Sequence, residues 1–150
     1  MVRTSVYLQA CFVLVISVVL GRAQDRCSNA AISGTWVVKC NGYLTPGANA
    51  PMVPAALLGK ATADKLGNWS GSGATLSLGG AIVTQEVKSV GPAQTNADCT
   101  GSITYSQSIN GQPGPDIHFN YIVGKNGDLI DGIGADPGSV FSCTLTRQSR

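Results

Sequence analysis

The chain carries a single histidine, His118, and a single glutamate, Glu86, so chemistry built on clustered imidazoles or paired glutamates has almost nothing to draw on. Only 12% of residues are charged, which argues against long surface helices, since these favour Glu and Lys on their solvent side. No Cys-x-x-Cys pair occurs and histidine is scarce, so the sequence predicts no metal site and no cofactor. Asp128, Asp131 and Asp136 stand among glycines but lack the alternating ligands and closing glutamate of an EF-hand, and they read as turn formers. A Gly-x-Ser-x-Gly elbow is missing too, because Gly71-Ser72-Gly73 falls within an expected strand, which argues against a serine hydrolase.

Long apolar runs are confined to the start of the chain. Met1-Val2-Arg3 precedes an apolar stretch from Cys11 to Leu20 and then Gly21-Arg22-Ala23, the pattern of a secretory signal peptide. Residues 1–23 are therefore expected to be removed, leaving residues 24–150 as a single domain of about 127 residues. The stretch is too short for a stable membrane span, so none is expected. Loss of Arg3 and Arg22 leaves eight basic residues against eight acidic ones. A chain so nearly neutral has no electrostatic footprint for nucleic acid, nor a basic helix for anionic membranes. Of five cysteines, Cys11 leaves with the signal, and Cys27, Cys40, Cys99 and Cys143 remain as an even set. A secreted or periplasmic location with two disulfides is the natural expectation.

What is abundant is glycine, at 19 residues, together with Ser, Thr, Asn and Val. Alternating or β-branched runs closed by Gly, Pro, Asn or Asp predict eight strands, at 32–40, 55–63, 68–76, 81–90, 100–109, 116–123, 128–134 and 139–147. Most connections are short and carry turn chemistry, such as Asp64-Lys65-Leu66-Gly67, Leu78-Gly79-Gly80 and Asp136-Pro137-Gly138. Residues 43–54 and 91–98 are the longer exceptions, and the first reads as a lid or rim loop. Hairpin following hairpin without a crossover helix predicts an all-β fold, an eight-stranded antiparallel up-and-down barrel, with a β-sandwich as the alternative.

A closed meander requires the first strand to pair with the last, and opposed residues in an antiparallel ladder keep a constant sum of residue numbers. Setting Cys40 against Cys143 also sets Val38 against Leu145 and Trp36 against Arg147, all on one face. One register thus yields a disulfide, an apolar pair and a cation over an indole, and it leaves Cys27 for Cys99. The plainer alternative makes Arg147 a solvated terminal charge and Trp36 a core residue without a special partner.

Gly34-Thr35-Trp36 on the first strand with an arginine on the last resembles the calycins, the lipocalin and avidin group of barrels. In that group the tryptophan and the basic residue pack together at the closed end. Cys27-Ser28-Asn29, Gly67-Asn68-Trp69-Ser70-Gly71, Asp98-Cys99-Thr100-Gly101 and Thr146-Arg147-Gln148 resemble the pattern of a set of small secreted bacterial proteins without an assigned activity. Those proteins are also similar to barrels of the allene oxide cyclase type, which implies a cavity able to shape a reactive intermediate with few charged groups.

His118 and Glu86 are the candidate acid-base groups, although alternation puts His118 with Asn120 on the face opposite Ile117, Phe119 and Tyr121. Tyr105, Phe119 and Tyr121 are candidates for lining a ligand cavity, with plain core packing as the alternative. Asn68-Trp69-Ser70 has the form of a glycosylation acceptor. Eight-stranded barrels sit at the size where side chains fill the interior or leave room for one small molecule. The leading expectation is binding of a small apolar or amphipathic partner without chemistry. The alternatives are a cofactor-free cyclase or isomerase, and a cell-envelope or extracellular interaction protein with no internal ligand.

Overall fold

A computed structural model describes residues 27–45, 50–124 and 126–150. The expected signal peptide, residues 46–49 of the expected 43–54 connection, and Lys125 lie outside the described residues. The ten strands are β1 (Gly34–Leu44), β2 (Val53–Ala63), β3 (Trp69–Leu78), β4 (Ala81–Ser89), β5 (Gln94–Thr95), β6 (Thr100–Ile109), β7 (Gln112–Pro113), β8 (Ile117–Val123), β9 (Leu129–Gly134) and β10 (Ser139–Ser149). Eight of them are long, whereas β5 and β7 are two-residue pieces that pair with β6.

All pairings are antiparallel, and around the ring the order is β4-β3-β2-β1-β10-β9-β8-β6, with β6 returning to β4. The eight long strands therefore form a closed barrel, and the sandwich alternative falls. Closure removes both free edges, which an open sheet of this length would expose to pairing with other chains.

The seam between β1 and β10 carries the register that the sequence arithmetic required. Trp36 opposes Arg147, Val38 opposes Leu145 and Cys40 opposes Cys143, with a bulge at Thr35. Cys40 and Cys143 are bridged across the pair, and Cys27 is bridged to Cys99. Chain-entropy reasoning puts a bond that closes so long a loop at about 4 kcal/mol.

Most strands shift from the sequence reading by one or two residues at one or both limits, and both limits of β1 differ for a structural reason. First, β1 does not stop at Cys40 but runs to Leu44. Asn41-Gly42 looks like a breaker in sequence, yet Gly42 serves close approach: it adopts φ 147°, and a Cβ there would sit 1.9 Å from the Val140 carbonyl oxygen. Second, Ile32 and Ser33 precede β1 rather than belonging to it. They end a turn in which the amides of Ala31 and Ile32 donate to the Ser28 carbonyl at 3.0 and 3.1 Å.

That turn plugs one end of the barrel. Ile32 and Trp36 are fully buried there with Trp69, Ala93, Ile103, Tyr121, Val123 and Ile130. Asn29 fastens the plug by donating to the carbonyls of Leu66 and Ala93 at 3.1 and 2.9 Å and accepting from the Thr95 hydroxyl at 2.7 Å. Arg147 sits beneath it, its side chain only 6% exposed, with the guanidinium 4.4 Å from the centroid of Trp36. It donates to the carbonyls of Ala31, Ser33 and Gly127 and to the Asp128 carboxylate. Burial pulls the guanidinium below its ordinary value and Arg150 adds to this, while Asp128 opposes both.

Replacing Arg147 strands the part-buried carbonyls of Ala31, Ser33 and Gly127, which have no other side-chain donor among the described residues, and the cost follows from that rather than from lost charge. Arg147→Leu is expected to lower the unfolding free energy by about 2–4 kcal/mol in urea denaturation. A solvated terminal charge would instead give a change within about 0.5 kcal/mol.

Candidate functional site

Above the plug the barrel is hollow. A cavity of about 480 Å³ opens at the opposite end, within the range that holds a small organic molecule. Its existence follows from side-chain size, because Gly59, Gly71, Ala74, Gly132 and Gly134 occupy inward positions where larger residues would fill the lumen. Leu57, Leu76, Ile103, Phe141 and Leu145 give the walls an aliphatic and aromatic character, and the Cys40–Cys143 bond lies in the wall with them. Leu44, Leu78, Ile109 and the segments around Asp116 and Asp136 border the mouth.

The three aromatic candidates all face this space. Tyr105 on β6 and Phe119 on β8 pack edge-to-face with centroids 6.4 Å apart, as the ring quadrupoles favour. Tyr121 lies across Gly101, where an added Cβ would be 2.2 Å from its ring, and its hydroxyl shares a hydrogen bond of 2.8 Å with Thr95. Burial, assisted by the neighbouring Tyr121, raises the Tyr105 phenol well above its ordinary value, and burial also raises Tyr121. The Tyr105 hydroxyl has no hydrogen-bond partner among the described residues, whereas the Tyr121 hydroxyl is engaged.

The acid-base candidates do not meet. His118 and Glu86 are both exposed positions on the outer face, on β8 and β4. Through β6 they register against Thr104 and Ser108, which puts them about 13 Å apart along the strand direction alone. His118 instead pairs with Asp136, Nδ1 to Oδ1 at 2.6 Å, while its backbone amide donates to Oδ2 at 2.8 Å. That dyad clamps the 135–138 turn to the edge of the mouth. Among the described residues no hydroxyl or thiol is hydrogen-bonded to the other ring nitrogen, so the oriented imidazole has no nucleophile to activate.

The three aspartates considered for calcium are likewise dispersed onto separate partners. Asp128 holds Arg147, Asp131 accepts from the Thr144 hydroxyl at 2.8 Å, and Asp136 holds His118. Among the described residues no group of three or more His, Cys, Asp or Glu is placed to hold a metal ion. Asn68 of the glycosylation triplet has its side-chain amide engaged with Asp64 at 2.8 Å.

Two lumen residues were not singled out from sequence. Gln85 on β4 and Gln107 on β6 face inward and touch, Nε2 of Gln85 donating to Oε1 of Gln107 at 2.6 Å. Gln107 in turn donates to the Pro115 carbonyl at 3.0 Å. Their signal was present as parity: Gln85 falls in phase with Val83 and Val87, and Gln107 with Tyr105 and Ile109. A polar residue on the apolar phase of a strand marks either a buried network or a binding group.

Comparison with protein-family models, curated proteins and solved structures finds no match to this chain.

The raised phenols make a statement about stability. Their unfolded value is near 10.0 and the folded values lie higher, so the fold favours the neutral forms. That contribution is whole below about pH 10 and is lost as pH climbs through the folded-state values. Unfolding free energy is expected to decline above this pH, with the tyrosinate absorbance of Tyr105 and Tyr121 developing only as the barrel opens. Early, fully reversible ionisation of every tyrosine without loss of structure would contradict the buried placement.

Proposed function

We propose that the protein binds one small apolar or amphipathic molecule in the barrel lumen and performs no chemistry on it. The observation that carries this reading is the cavity of about 480 Å³, whose walls are aliphatic and aromatic and whose lining carboxylates, Asp116 and Asp136, stand at its mouth. An empty apolar space of this size forgoes dispersion contacts that a filled core would make. A ligand restores them, and that is the driving force for occupancy.

The cyclase reading draws on the same cavity but requires an inward group able to move a proton. His118 and Glu86 lie outside, and the Tyr105 phenol is held neutral, so no observation favours it over binding. A protein working through its outer sheet alone would have no use for a hollow interior. The Trp36–Arg147 stack at the closed end supports the calycin resemblance. The two disulfides agree with an oxidising compartment, and export through the N-terminal segment remains part of this proposal.

Titration with the uncharged polarity-sensitive dye N-phenylnaphthylamine tests the reading. Its fluorescence is expected to rise to saturation at one dye per chain. Leu57→Trp, which places a larger ring in the lumen, is expected to weaken binding by about tenfold or more while the far-ultraviolet spectrum is kept. A dye signal that never saturates, or that Leu57→Trp leaves untouched, would show that the lumen is not the binding site.

A further inference from the structure

We propose that the lumen selects an uncharged alcohol, a molecule with an aliphatic body and a hydroxyl group that donates to the side-chain carbonyl of Gln85. This rests on the binding reading and adds the head group that the cavity recognises.

The orientation of both amides follows from one fixed point. A proline carbonyl can only accept, so Gln107 must turn its nitrogen toward Pro115, where the distance is 3.0 Å. Its oxygen is then left facing Gln85, which must answer with its own nitrogen at 2.6 Å. The oxygen of Gln85 is what remains, and no donor among the described residues reaches it. Gln85 is only 8% exposed and is the one buried polar side chain in the described core. Its oxygen is not sealed in the wall: among the described residues the one fully enclosed side-chain polar atom lacking a partner is the indole nitrogen of Trp69. The Gln85 oxygen therefore opens on the cavity that the residue lines.

An acceptor presented to an apolar, water-poor space selects for a donor, because a ligand that displaces water without replacing its hydrogen bond leaves the carbonyl unpaired. A carboxylate head offers only acceptors, and among the described residues no cation points into the lumen to neutralise it. Lys60 is an outward, exposed position between Gly59 and Ala61, and Arg147 is committed to the carbonyls below the floor. At the mouth Asp136 is already held by His118 on the outer face, and Asp116 repels an anion. An ammonium head would surrender its hydration in a lumen whose carboxylates, among the described residues, are at that rim. A hydroxyl satisfies the site without charge. It donates to Gln85 and keeps lone pairs for the unpartnered Tyr105 hydroxyl, which lines the same cavity.

The strand order gives the ligand an orientation. Gln85, Gln107 and Tyr105 lie on β4 and β6, and halfway around the ring stand β1 and β10, which present Val38, Cys40, Phe141, Cys143 and Leu145 above the floor. One wall thus reads the head group while the facing wall packs the body.

Calorimetric titration of the disulfide-bonded chain with decanol, methyl nonyl ether and decanoate at neutral pH tests this. Decanol and the ether match in size and differ in the donor, so decanol is expected to bind about fivefold to tenfold more tightly, with decanoate weaker than either. Gln85→Leu is expected to erase the gap between alcohol and ether while the ether binds as well as before. Equal binding of alcohol and ether to the unaltered chain, or a preference for decanoate, overturns the inference and leaves lumen binding standing. If none of the three binds and the neutral dye also fails, the binding reading falls and the inference with it. The comparison on the unaltered chain decides the matter even if Gln85→Leu does not fold.

Discussion

One guanidinium organises this barrel. Arg147 comes from the last strand, stacks under Trp36 of the first, and donates to the turn that precedes the first strand and to the 127–128 turn before β9. A planar fork with fixed donors suits this role, since it stacks on an indole and reaches several carbonyls at once; a lysine would offer a point charge instead. The contact joins the two ends of the described chain, fastens the plug and sets the floor of the cavity. Every inward residue above it takes its depth from the same seam.

The lumen comes at a cost to packing, and the sequence shows how that cost is carried. Small residues open the lumen between two buried clusters, one at the closed end around Trp36 and Trp69, 5.9 Å apart, and one in the wall around Leu76 and Phe141. Each cluster is fastened by a cross-link. Cys40–Cys143 bridges the seam beside the cavity, and Cys27–Cys99 ties the plug to the start of β6. Full occupation of the interior by side chains would have stabilised the barrel further and left nothing for a ligand to fill.

Much of the architecture was legible because strands repeat every two residues and antiparallel registers obey simple arithmetic. Trp36, Val38 and Cys40 share a phase, as do Cys143, Leu145 and Arg147, so a single sum aligned both ends. Most strand limits followed from turn residues. The failures came where a local signal carried a long-range meaning. Gly42 resembles a turn residue until Val140 is known to press against it, and Ile32 resembles a strand residue until its carbonyl is seen to accept from the Trp36 indole at 3.0 Å. The same holds for the site. Tyr105, Phe119 and Tyr121, candidates from their aromatic character, line the cavity, but the Gln85–Gln107 contact joins positions 22 residues apart and needs the β4–β6 seam to be known. The pairing of His118 with Asp136 depends on a turn reaching back across β8, which no periodicity encodes.

The central claim is that the first and last long strands pair along their whole length, so that the sheet has no border and its interior is enclosed. Residue-resolved amide hydrogen exchange tests it most directly, because an edge strand and a paired strand differ by many orders of magnitude in protection. The barrel requires the β1 amides that donate toward β10 to exchange as slowly as those that donate toward β2. Rapid exchange on the β10 side of β1, with slow exchange on its other side, would mean an open sheet and no enclosed lumen.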